Sequence, residues 1–100
     1  MSDIAFLERL QEIIRQRLTD APTAPTGSYT ARLASQGVLK VAQKVGEEGV
    51  ELALAATAQD RARVTAEAAD LVYHLLLLLT LRELSLSDVA AELERRHTQT

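Results

Sequence analysis

Two segments carry acidic spacings that could do chemistry: Lys44-Val45-Gly46-Glu47-Glu48-Gly49-Val50-Glu51 and Glu67-Ala68-Ala69-Asp70. On a helix, Lys40, Lys44, Glu47, Glu48 and Glu51 fall in one polar sector about 100° wide. Asp60, Arg63, Glu67, Asp70 and His74 form a second stripe, about 80° wide. Glu-x-x-Glu and Glu-x-x-Asp each set a pair of carboxylates on adjacent turns of one face. Carboxylates crowded together repel and lose hydration, so they need a positive compensator. Lys44 and Arg63 do not balance Glu47, Glu48, Glu51, Glu67 and Asp70. A hard divalent cation does, and Mg²⁺ takes oxygen ligands, commonly a few carboxylates plus substrate phosphate oxygens. The chain has no cysteine, which excludes disulfides, thiolate-held metal and a Cys nucleophile. His74 reads as a supporting or core residue rather than a ligand. The plain alternative is a solvated face on which Lys44 and Glu48 form an i,i+4 pair.

Five helices and no strand must position these groups. The first runs from about Ile4 to Leu18, with Ile4, Leu7, Leu10, Ile14 and Leu18 on one side and Ser2 or Asp3 as cap. A linker, Ala21-Pro22-Thr23-Ala24-Pro25-Thr26-Gly27, follows. A short helix begins after Ser28-Tyr29-Thr30 and stops at Gly37. Longer helices span about Val38 to Ala58 and Arg61 to Leu84. The last starts at the capping box Ser85-Leu86-Ser87-Asp88 and ends near His97. Gly46 and Gly49 each cost roughly 1 kcal/mol inside a helix relative to Ala, which argues for close backbone packing beside the Glu pair.

The apolar run Leu71 to Leu81 falls short of the roughly 20 residues a membrane span needs, and it is flanked by Glu67, Asp70, Arg82 and Glu83. Its helix is apolar nearly all round and should be buried nearly all round, so Glu67 and Asp70 are expected in a cleft. At 100 residues, 47% apolar, with Phe6, Tyr29 and Tyr73 as the aromatics, the chain reads as one aliphatic all-α domain. A net charge of −3 argues against nucleic acid. Met1-Ser2-Asp3-Ile4 has no basic start ahead of an apolar stretch, so the expectation is a cytoplasmic protein that does not engage a membrane.

Ser28-Tyr29-Thr30-Ala31-Arg32-Leu33, the run Lys44 to Glu51, Glu67-Ala68-Ala69-Asp70-Leu71-Val72-Tyr73-His74-Leu75-Leu76 and Glu92-Leu93-Glu94-Arg95-Arg96-His97 together resemble the phosphoribosyl-ATP pyrophosphatases of histidine biosynthesis. The match runs from about Phe6 to His97. The carboxylate pairs alone indicate only the wider MazG-like, all-α nucleoside triphosphate pyrophosphatases; the Ser-Tyr-Thr and Asp-Leu-x-Tyr-His-Leu-Leu segments narrow it. Gly49 stands where the family more often has Ala, and carries no functional weight. The resemblance implies Mg²⁺-dependent hydrolysis of 1-(5-phosphoribosyl)-ATP between its α and β phosphates, giving phosphoribosyl-AMP and pyrophosphate. It implies a homodimer or higher oligomer of helical bundles, with sites near the subunit interface. A chain of this length has no room for the cyclohydrolase domain fused to it in many organisms.

By the same resemblance Glu48, Glu51, Glu67 and Asp70 are the expected metal ligands. Glu47 and Glu48 are the candidate catalytic carboxylates: Glu47, beside the ligands, either orients or deprotonates the attacking water or pairs with Lys44 or Lys40. Lys40, Lys44, Arg32 and Arg63 are candidate phosphate contacts. Ser28, Tyr29 and Thr30 either cap the short helix or bind substrate. Two other readings stand beside this one: a house-cleaning pyrophosphatase acting on ordinary or damaged nucleotides, and a non-catalytic helical dimerisation module built on the leucine-rich helix.

Overall fold

The computed structural model describes residues 3–19, 28–58 and 60–98. They form α1 (Phe6–Thr19), α2 (Tyr29–Ala34), α3 (Val38–Ala58), α4 (Arg61–Leu81) and α5 (Leu86–Thr98), with no strand among the described residues. The all-α expectation holds; the linker at 21–27 lies outside the described residues.

Side-chain caps set most helix starts, because the first-turn N–H groups have no intrahelical partner. Ser28 Oγ accepts from Ala31 N–H at 3.2 Å to open α2. Asp60 Oδ1 accepts from Arg63 N–H at 2.9 Å to open α4, so this member of the second stripe is a cap. At α5 the capping box is reciprocal: Asp88 N–H donates to Ser85 Oγ (3.1 Å) and Ser85 N–H to Asp88 Oδ2 (2.8 Å). Between α2 and α3 the chain turns through Gly37, whose φ of +96° suits a residue without Cβ.

The core is a single aliphatic cluster drawn from four helices: Ile14, Leu33, Val41, Leu76 and Leu77, flanked by Leu10, Leu18, Val72 and Tyr73. α3 and α4 make the most extensive helix pair. Three expectations are corrected here. Ile4 is 81% exposed rather than part of the α1 core face, because Asp3 turns the chain ahead of the helix by accepting the Ala5 N–H (2.9 Å). α4 ends at Leu81, not Leu84, because residues 82–84 form a left-handed exit turn. α4 is not enclosed all round either: Ala62, Ala66 and Ala69 are exposed, since within one chain only its opposite side meets α3, α1 and α2. By length and composition alone α4 could cross a membrane, but its Glu67 and His74 are buried polar side chains within the fold.

Candidate metal centre

α3 and α4 bring the two carboxylate motifs face to face. Glu48 from α3 and Glu67 and Asp70 from α4 each offer an oxygen, and the three oxygens lie within 4.8 Å of one another. Glu48 and Glu67 are 7% and 4% exposed, whereas Asp70 is exposed and gives the cluster its open side. The solvated-face reading therefore fails at Glu48, and the expected cleft holds Glu67 but not Asp70, which stands at its rim.

Each buried glutamate is half satisfied. Lys44 Nζ lies 3.5 Å from Glu48 Oε1, and Arg63 Nη2 lies 3.0 Å from Glu67 Oε1. The other oxygens, Glu48 Oε2 and Glu67 Oε2, are buried with no hydrogen-bond partner. An ionised oxygen left unpaired out of water is costly, and here two of them belong to residues that also converge with a third carboxylate. An all-oxygen donor set of this kind fits a hard cation such as Mg²⁺. It does not suit zinc, which favours Cys and His, and the one nearby imidazole is engaged elsewhere. His74 is held at both ring nitrogens: Nδ1 donates to the Asp70 carbonyl oxygen (2.8 Å), and Nε2 is 2.7 Å from the Tyr29 hydroxyl. It supports the site and leaves ligation to the carboxylates, as its position in the sequence suggests.

The remaining expected site residues distribute around this trio. Glu51 is exposed and outside it. Glu47 is also exposed; it accepts from Gln43 Nε2 at 3.1 Å and lies 3.9 Å from Lys44 Nζ. Burial pulls the Lys44 ammonium pKa down, but Tyr29, Glu48 and Glu47 outweigh it and hold it above the ordinary lysine value. Lys40 is half-buried and Arg32 exposed. Thr30 is fully buried and hydrogen-bonded to the Tyr73 hydroxyl, so it ties α2 to α4. The glycine expectation is corrected: a Cβ at Gly46 or Gly49 would meet nothing within 4 Å, because that side of α3 faces outward within one chain. A polar anchor with no local sequence signal is Gln11, buried at the turn between α4 and α5.

The described residues are all helical or in short connections, with an acidic all-oxygen centre shared by the two longest helices, an arrangement consistent with the MazG-like all-α class. Comparison with known sequences narrows the class. The family model described as phosphoribosyl-ATP pyrophosphohydrolase matches residues 7–97. The phosphoribosyl-ATP pyrophosphatase of Pyrobaculum islandicum is 54% identical over 91 residues, covering 91% of this chain and 94% of that protein. That of Pyrobaculum calidifontis is 56% identical over 90 residues, 90% of this chain and 93% of the relative. The histidine biosynthesis bifunctional protein HisIE of Pasteurella multocida is 52% identical over 97 residues, 97% of this chain, which spans only about half (47%) of that longer relative. The chain belongs to the phosphoribosyl-ATP pyrophosphohydrolase family.

Proposed function

We propose that this chain hydrolyses 1-(5-phosphoribosyl)-ATP to 1-(5-phosphoribosyl)-AMP and pyrophosphate, the histidine-biosynthetic step named in its relatives, with Mg²⁺ as cofactor. The observation that carries the metal part is the pair of buried, unpartnered oxygens on Glu48 and Glu67 beside the Asp70 carboxylate. Glu48, Glu67 and Asp70 would hold the ion, with Glu51 one turn along α3 as a further ligand. When bound, the cation neutralises polyphosphate charge and makes pyrophosphate a better leaving group.

The chain's own side chains do the rest. Lys44, cationic across the physiological range, pairs with the buried glutamate one turn along its own helix, Glu48, and is accessible enough to meet a phosphate oxygen. Arg63 does the same from α4, with 57% of its side chain exposed. Lys40 and Arg32 extend this positive rim toward the second phosphate group of the substrate. Glu47, solvent-accessible beside Glu48, orients the water and takes its proton as the new P–O bond forms and the anhydride P–O bond breaks. The active form is a homodimer in the cytoplasm.

Activity and metal binding are tested together. Mg²⁺ added to metal-free protein should raise its melting temperature; a hundredfold excess over Kd corresponds to about 2.7 kcal/mol. Glu67→Gln and Asp70→Asn should abolish that shift and turnover while keeping the helical circular dichroism. Full turnover by either variant removes the metal assignment. Faster turnover of ordinary nucleotides than of phosphoribosyl-ATP favours the house-cleaning reading.

A further inference from the structure

The substrate brings a purine as well as phosphates, and the acidic centre offers nothing for a base. Among the three aromatic residues of the chain, Phe6 is on α1, which supplies none of the three converging carboxylates, and has Arg9 stacked over its ring at 5.4 Å. Tyr73 is partly buried, with its hydroxyl on Thr30. Tyr29 alone is both 44% exposed and rigidly held.

The hold on Tyr29 runs straight to the centre. Its hydroxyl bonds His74 Nε2 at 2.7 Å, and His74 Nδ1 bonds the Asp70 carbonyl at 2.8 Å. His74 is 7% exposed and stands edge-on to both tyrosine rings, at 5.8 Å and 89° from Tyr29 and 5.5 Å and 82° from Tyr73. Through His74 the ring is anchored on the α4 side of the carboxylates. With the hydroxyl occupied, what Tyr29 offers a ligand is its ring. A half-open ring locked in orientation binds a flat partner at little entropic cost.

We infer that Tyr29 is the platform on which the adenine of the substrate stacks, with His74 as the positioning residue that fixes the ring. This rests on the function proposed above and adds which residue takes the base. Stacking of a base on an aromatic side chain is sequence-tolerant and substantial, so its loss costs about tenfold to a hundredfold in affinity.

The experiment separates base from phosphate. Tyr29→Leu should raise KM for phosphoribosyl-ATP by about tenfold or more with kcat little changed, whereas Tyr29→Phe, which keeps the ring and loses only the His74 bond, should show a smaller rise. In the Mg²⁺-loaded Tyr73→Phe protein, Tyr29 is the sole tyrosine and no tryptophan is present; ATP should quench its emission and inorganic tripolyphosphate should not. Equal effects of ATP and tripolyphosphate, or an unchanged KM in Tyr29→Leu, overturn the inference. If the wild-type protein fails to turn over phosphoribosyl-ATP but ATP alone quenches Tyr29, the platform stands and the substrate assignment falls.

Discussion

Gln11 sits 2% exposed on α1, where an apolar residue would match Ile14. Its amide makes the choice intelligible. Nε2 donates to Thr80 Oγ1 (3.1 Å) and to the Leu84 carbonyl (3.0 Å), and Oε1 accepts the Leu86 N–H (2.8 Å). One side chain thus completes the backbone of the turn between α4 and α5 and ties it to α1. Gln11→Leu keeps the volume and takes the amide partner from the Leu84 carbonyl and the Leu86 N–H, at about 1–3 kcal/mol for each one stranded out of water, while Thr80 Oγ1 keeps its bond to the Leu76 carbonyl (2.8 Å). The expected loss is about 3 kcal/mol, read as a lower urea midpoint with an unchanged slope; a loss under 0.5 kcal/mol would show that water replaces the amide. Gln11 is silent in the sequence because its partners are 69 to 75 residues away. The acidic residues are legible for the opposite reason: spacings of three and seven place carboxylates on a face wherever the helix goes. What spacing leaves open is burial, and it is the docking of α4 that takes Glu48 out of water while leaving Glu51 in it.

At the scale of elements, short-range chemistry is what can be read in advance. Ser28 and the Ser85–Asp88 box sit within three residues of the amides they cap, and they mark α2 and α5 correctly. The end of α4 has no such mark. Leu84 N–H bonds the Leu79 carbonyl (2.8 Å) and Glu83 N–H the Thr80 carbonyl (3.0 Å), the Schellman pattern, with Glu83 at φ +60° where glycine is usual. With glutamate in that position Leu81-Arg82-Glu83-Leu84 carries no glycine or proline to stop it and reads as helix to its end. The left-handed region costs a residue with Cβ roughly 1–2 kcal/mol, partly offset by the greater unfolded-chain freedom of glycine. Glu83→Gly should therefore stabilise the protein by roughly 0.5–1 kcal/mol, a rise of several degrees in Tm for a chain of this size. A lower Tm would mean that the Glu83 side chain holds the turn by a contact worth more than the strain.

One copy of the chain is more extended than a compact domain of its length. Its radius of gyration is 15.0 Å, against about 12.7 Å for a compact domain of this length. It exposes 7150 Å², where about 5,600 Å² is usual for a monomer of its mass. The difference, about 1,500 Å², exceeds the roughly 800 Å² per partner of a standard interface. Apolar residues concentrate on the outer face of α3: Leu39 is 87% exposed, Val50 60% and Leu54 62%, with Gly46 open between them. α4 adds Ala62, Ala66 and Ala69. Small residues permit close helix approach, so Gly46, idle within one chain, gains a reason if the second copy proposed above seats there. Leu54→Lys separates the alternatives. In an isolated chain Leu54 touches mostly water, and such a surface change shifts stability by about 0.5 kcal/mol at most. Across a dimer seam, facing a second copy, the same lysine must be desolvated without a partner, which costs several kcal/mol. Sedimentation should thus give twice the 10.9 kDa chain mass for the wild type and the single-chain mass for Leu54→Lys, with the Tm of the wild type alone rising with protein concentration. A wild-type protein that sediments as one chain, or a Leu54→Lys protein that stays paired at full stability, would take this face out of the assembly.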